Sequence, residues 1–222
     1  AIRLADNITG VSQASLDASL INDLSQAYEF ATVAEYKDFA TAFPVGKVIH
    51  LLDRRAKFTV VTGTGAANTF SIIASDQVSQ SIDLVKKDKV SVINVGVKGD
   101  DTTLDTLALQ FAWNLGGTIY HPNTASNTIL VNDTLTIGSN TTLEFDVGVK
   151  IKLATGINKT MVKNADASNT NITIINGIFD VDEVNQTTQQ HCIRFDNLSN
   201  SYFDRVDVRA THFIGGGIGS WH

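Results

Sequence analysis

Asp180 and Asp182 are the two residues in this chain whose type and spacing suit acid–base chemistry. On an extended strand, residues i and i+2 share a face about 7 Å apart by the strand's rise. That separation falls within the range at which two carboxylates flank a water in inverting glycoside hydrolysis. A solvated strand face produces the same pattern, and Asp204 and Asp207 repeat it in looser form beside Arg205 and Arg209. Asp180 and Asp182 therefore stand as catalytic candidates next to the plainer reading of surface charges, and the catalytic residues stay otherwise unassigned. His212 has no acid placed to orient it, and no Lys or Arg falls in a pattern that identifies a lyase base.

Other reactive types point away from chemistry. The single Cys192 precludes an internal disulfide and a cysteine metal site, and its neighbours Ile193 and Phe195 predict a buried structural thiol. The five histidines show no close ligand spacing, so no metal and no cofactor is expected. A formal charge of −6, with no basic run, argues against nucleic acid or an anionic membrane as partner. No apolar stretch approaches the length of a membrane span. Residues 1–30 lack the basic start and apolar stretch of a signal peptide.

The elements that would carry these residues are mostly strands. From Val90 to Leu153 the order is a strand, a Gly and Asp turn, one helix, then short apolar runs punctuated by Asn, Thr or Gly. The helix is expected over about 103–114, capped by Thr102 or Thr103, with Asp105 in its first turn and Leu104, Leu107, Ala108 and Phe111 on its buried face. Such a helix would close the first rung of a solenoid, whose open core and unpaired edge need covering. Further on, Asn140-Thr141-Thr142-Leu143 matches Asn169-Thr170-Asn171-Ile172 and Asn200-Ser201-Tyr202-Phe203, at offsets of 29 and 31 residues. Each match precedes an apolar strand: Leu143, Phe145 and Val147; Ile172, Ile174 and Ile175; Phe203, Val206 and Val208. A period of this size fits one stacking unit per repeat. The recurring Asn suits an amide ladder between units or simply a tolerant turn.

Gly96, Gly99, Asp100 and Asp101, the helix after them, and Gly116, Gly117, Thr118, Ile119, Tyr120 and Pro122 resemble the N-terminal signature of the pectate-lyase superfamily. These are right-handed parallel β-helix proteins and include phage tailspikes. Two residues depart from the pattern: Asp101 stands where the family has a glycine, and so does Thr124.

Upstream, Leu16, Leu20, Leu24, Ala27 and Ala31 recur at helical spacing, which suits an oligomerising helix or a lone amphipathic one. A second helix is expected over 33–43, ending before Pro44, followed by strands over 45–51, 56–61, 69–74 and 81–85. This small α+β unit is similar to the accessory module that precedes the β-helix in phage tailspikes. Asp53, Arg54 and Arg55 form a polar turn within it. The predicted organisation is thus a helical segment over 1–31, an α+β adaptor over 32–89 and a parallel β-helix from 90 to 222. The charged stretch Lys86, Lys87, Asp88 and Lys89 marks the boundary. Residues 213–222 bring no capping helix, so the sequence is expected to be the leading part of a longer protein or to be sealed by another chain.

The resemblance implies a virion-borne, extracellular homotrimer. Its N-terminal region would join phage tail or baseplate proteins, and its β-helix would bind host capsular or O-antigen polysaccharide and depolymerise it. On that reading the catalytic residues of the complete protein fall largely outside this chain. A secreted bacterial polysaccharide lyase or epimerase, and a non-enzymatic β-helix adhesin, are the alternatives.

Overall fold

The computed structural model describes residues 27–64, 67–68, 70–85, 88–188, 191–209 and 218–221, which fall into two compact units divided between Lys86 and Lys87. The expected helix over 16–31 lies largely outside these residues. Its last part is instead a strand, β1 (Tyr28–Phe30), whose alternating buried rings suit a sheet rather than a helix.

In the first unit β1 runs parallel to β2 (Val48–Leu51). The rest of the sheet is antiparallel, through β3 (Ala56–Thr62), β5 (Gln80–Leu84) and β4 (Ile72–Ala74). The helix predicted over 33–43 is only α1 (Val33–Lys37), opened by Thr32, whose hydroxyl accepts from Glu35 N, and closed at Asp38. The chain then leaves helical geometry so that Phe39 and Phe43 can stack at 5.0 Å and join Tyr28, Phe30 and Tyr36 in one aromatic cluster. Gln80 holds Phe43 in place, its side-chain amide bonded to both the N–H and the C=O of that residue.

The second unit is mainly β and contains three all-parallel sheets. The first runs β6 (Lys89–Ser91), β8 (Gly117–His121), β11 (Thr141–Phe145), β15 (Ile172–Ile175), β19 (Tyr202–Asp204). The second runs β7 (Asp100–Leu104), β9 (Thr128–Val131), β12 (Lys150–Leu153), β16 (Ile178–Asp180), β20 (Asp207–Arg209). The third runs β10 (Leu135–Ile137), β13 (Val162–Asn164), β17 (Ile193–Asp196), β21 (Ile218–Trp221). From β8 onward the chain visits the sheets in the same cyclic order on every pass. Side chains from all three meet inside: Phe145 crosses edge-on to Phe179 at 5.6 Å, Phe195 stacks near the half-buried Phe203 at 5.8 Å, and Cys192 donates to the Phe179 carbonyl. Burial pushes the Cys192 thiol well above its ordinary pKa, as a structural thiol requires.

Corners recur at matched positions with left-handed backbone. Gly116, Asn140, Asn171 and Asn200 form one column and Gly148, Asn176 and Arg205 another. Gly and Asn tolerate that region best. The sequence match of Asn140 to Asn169 is therefore off by two: Thr141 pairs with Ile172, which aligns Asn140 with Asn171, 31 residues away. One rung of the amide ladder forms, with Asn171 Nδ2 donating to Asn140 Oδ1 at 2.8 Å.

The second helix, α2 (Thr106–Asn114), begins later than expected and is preceded by Asp105, because residues 100–104 are drawn into β7. The buried face also differs from the expected one. Leu104 and Leu107 are 52% and 76% exposed, while Leu109, Ala112 and Trp113 are buried. Val147 is exposed as well. The helix packs against β10, the first strand of the third sheet, and the residues turned to that strand's edge are polar. Gln110 Oε1 accepts from Thr136 N at 2.8 Å and Gln110 Nε2 donates to Thr136 O at 3.0 Å. Thr106 Oγ1 accepts from Asn132 N at 2.8 Å. The helix therefore covers the edge where an earlier strand of the third sheet would sit.

Both departures from the family pattern have a structural explanation. Asp101 adopts φ +61°, the left-handed conformation a glycine would take. Thr124 packs against Gly99 and donates to its carbonyl at 2.6 Å. A Cβ on Gly99 would meet Thr124 Oγ1 at 2.5 Å, in a backbone already at φ +59°.

Candidate functional site

The parallel register makes each outward side chain of one pass the neighbour of its equivalent in the next. On the third sheet this sets Lys163 of β13 beside Arg194 of β17, with Val162 and Ile193 turned inward. Adjacent strands lie about 4.8 Å apart, so the two cations are neighbours. Two turns flank them, one through Asn158, Lys159 and Thr160 and the other through Ala165, Asp166 and Ala167. Together they enclose an open polar groove of about 770 Å³.

Side-chain amides brace both sides of this groove. Asn158 Oδ1 accepts from Thr187 N at 2.7 Å and Thr188 N at 3.1 Å, while Asn158 N donates to Gln186 Oε1 at 2.9 Å. Asn164 Oδ1 accepts from Asp196 N at 3.1 Å and Asn164 Nδ2 donates to Asp196 O at 2.9 Å. Asn169 Oδ1 accepts from Asp166 N, and Asn197 Nδ2 donates to Ala167 O at 3.0 Å. Groups held this way lose little freedom when a ligand binds.

The charges are unevenly matched. Lys159 Nζ lies 2.7 Å from Asp133, and this contact is the main cause holding the Asp133 carboxyl below its usual range. Arg194 Nε is 3.5 Å from Asp196 Oδ1. Lys163 has no salt-bridge partner among the described residues.

The predicted carboxylate pair lies elsewhere. Asp180 ends β16 on the second sheet, 3.6 Å from Lys150 Nζ. Asp182 lies beyond the strand in a left-handed turn at φ +51°. Its carboxylate is 3.7 Å from Lys152 and accepts from Asn185 Nδ2 at 3.0 Å and from Thr155. Asp204 and Asp207 are paired with Arg205 and Arg209 at 2.9 Å each. Asp53 accepts from Val33 N at 3.2 Å in the β2–β3 turn, and Arg55 is exposed there at φ +49°. Among the described residues no three His, Cys, Asp or Glu side chains gather as a metal site, and no helix is long and apolar enough to cross a membrane.

His121 is a strongly perturbed titratable group. It is buried, stacked on Phe145 at 3.9 Å, and accepts from Trp113 Nε1 at 3.0 Å. Indole N–H only donates, so Nε2 is unprotonated and Nδ1–H donates to the Glu144 carbonyl at 3.1 Å. Burial lowers its pKa to about 3 and keeps it neutral. Its role is packing.

Sequence reasoning did not single out Lys159, Lys163, Asn164 or Arg194. The available signal was a cation directly after an apolar β-branched residue, in Val162-Lys163 and again in Ile193-Arg194, a repeat distance after the first.

No protein-family model and no curated protein matches this chain. Solved structures do. A tailspike protein, gp49 of Acinetobacter baumannii bacteriophage Fri1, described as a capsular polysaccharide depolymerase, superposes with a TM-score of 0.54 at 10% identity, over 81% of this chain and 42% of that one. The enzymatically active domain of tailspike protein 4 from bacteriophage CBA120 superposes with a TM-score of 0.51 at 14% identity, over 95% of this chain and 36% of that one. The chain thus has a tailspike fold and spans less than half the length of these structures.

Proposed function

We propose that this chain is part of a phage tailspike, a receptor-binding protein of the virion tail that attaches the particle to host capsular or O-antigen polysaccharide. The three parallel sheets form a pectate-lyase-like, right-handed parallel β-helix, since crossover connections between parallel strands are right-handed in nearly all cases. The groove beside Lys163 and Arg194 is the observation that carries the binding role. It is polar, open along one sheet and braced on both sides, which suits a hydroxyl-rich polymer.

The complete spike is a homotrimer, and the first unit serves as the adaptor to tail or baseplate proteins, with the Asp53–Arg55 turn among the surfaces that meet a partner. The complete protein depolymerises the polymer by hydrolysis or β-elimination. Asp180 and Asp182 are the carboxylates of this chain to test for that chemistry, and both are already engaged with lysines.

The test is to present the purified protein with a panel of capsular and O-antigen polysaccharides. Binding is followed by interferometry, and cleavage by new reducing ends and by the absorbance of unsaturated products. Saturable binding to a member of the panel is expected. Failure to bind any capsular or O-antigen polymer would sink the proposal.

A further inference from the structure

Within the polysaccharide reading, on which this step rests, the groove's charges narrow the class of polymer. Lys159, Lys163 and Arg194 all line it in a chain whose net charge is −6. Lys159 is matched by Asp133. Arg194 meets Asp196 through Nε alone at 3.5 Å, a long contact that leaves the rest of its five-donor fork available. Lys163, next to Arg194 in register, makes no salt bridge within 4 Å among the described residues, although its charge, after that of Lys159, helps lower the Asp133 pKa.

We infer that the groove takes an anionic sugar unit, carrying a carboxylate or a phosphate, with the anion held between Lys163 and Arg194. The strands that carry the two cations lie about 5 Å apart, close enough for both side chains to reach one anionic group. Arginine supplies the planar two-donor contact and lysine a point charge. The rim supplies what the sugar hydroxyls need: the Thr134 and Thr160 hydroxyls and the side-chain carbonyl of Asn197, whose Nδ2 is held by Ala167. The Asp166 carboxylate adds an acceptor for hydroxyl donors, while Asp196 meets Arg194 through Nε and leaves the guanidinium's other N–H groups to the anion. A neutral polymer would use the same rim and leave Lys163 without a salt bridge.

The experiment is an array of uronic-acid-bearing and phosphate-bearing capsular polysaccharides. Each is printed beside its carboxyl-reduced or dephosphorylated counterpart and probed with the wild-type protein, Lys163→Ala and Arg194→Ala. Both side chains point outward, so thermal midpoints are expected to match wild type. The expected result is binding to an anionic polymer at least about tenfold tighter than to its neutralised form, weakened about tenfold in each variant, as loss of one charge-assisted bond implies. Loss on carboxyl reduction assigns a carboxylate, and loss on dephosphorylation a phosphate. Equal binding of native and neutralised forms, unchanged in Lys163→Ala, overturns the inference and leaves polysaccharide binding standing. No binding to any polymer overturns both.

Discussion

The side-chain amide of Gln110 bonds both backbone groups of Thr136, standing in for the strand residue that the third sheet lacks at its first edge. The same device recurs where Asn164 brackets Asp196 and where Gln80 brackets Phe43. An amide offers one donor and one acceptor in the geometry of a peptide group. It can therefore close a ladder without adding a strand.

Replacing Gln110 with Ala should strip both bonds and open the β10 edge. A loss of about 2 kcal/mol in unfolding free energy is expected, from two net hydrogen bonds, with faster amide exchange at Thr136. Unchanged exchange at Thr136 would show that water serves that edge as well as Gln110 does.

Acid should weaken the second unit through His121. Its folded pKa is held near 3, below the ordinary 6.5, because burial disfavours the cation. Below pH 6.5 the unfolded chain binds the proton and the folded one does not, so stability falls as pH drops from about 6.5 toward 3. Between pH 6.5 and 5 this amounts to about 2 kcal/mol, at 1.36 kcal/mol per pH unit. The double variant Trp113→Phe/His121→Phe removes donor and acceptor together and should flatten this slope in denaturant titrations across the range. Wild-type pH dependence in the double variant would assign the slope to another group.

Gly99 and Asp101 should respond unequally to exchange. Gly99→Ala places a Cβ against Thr124 in left-handed backbone and should cost about 2–3 kcal/mol. Asp101→Gly trades relief of left-handed strain against a more flexible unfolded chain, and should stay within about 1 kcal/mol of wild type. Thermal midpoints of the two variants decide the point, and equal losses would contradict it.

In the complete protein as proposed above, Asn at both Asp180 and Asp182 should leave polymer cleavage in place, because these carboxylates already face Lys150 and Lys152 and, at Asp182, also Asn185 and Thr155. Reducing-end release by the double variant measures this directly. Loss of cleavage with polymer binding retained would instead make the pair the catalytic acids.

Much of the strand content was readable because inward positions alternate with outward ones, as in Thr141 to Phe145, where Thr141, Leu143 and Phe145 are buried. The helix was found but its face was misjudged. Two apolar stripes compete on α2, and the choice between them depends on Thr106 and Gln110 meeting an edge that only the fold creates. The repeat was visible, yet its register slipped by two because Asn occurs at both 169 and 171. Left-handed backbone, present at Asn171 and absent at Asn169, decides between them. The short α1 was overextended since Phe39 and Phe43 continue its apolar pattern while serving an aromatic cluster. The groove was invisible because Lys163 and Arg194, 31 residues apart, each look like an ordinary solvated charge.

Hydrogen exchange of the protein, alone and saturated with the polysaccharide it binds most tightly in the panel, tests the binding role most directly. Slowed exchange over residues 158–167 and 193–197 is the expected footprint. Protection confined to the second sheet around Lys150, Lys152 and Asp180, with the groove unchanged, would contradict it.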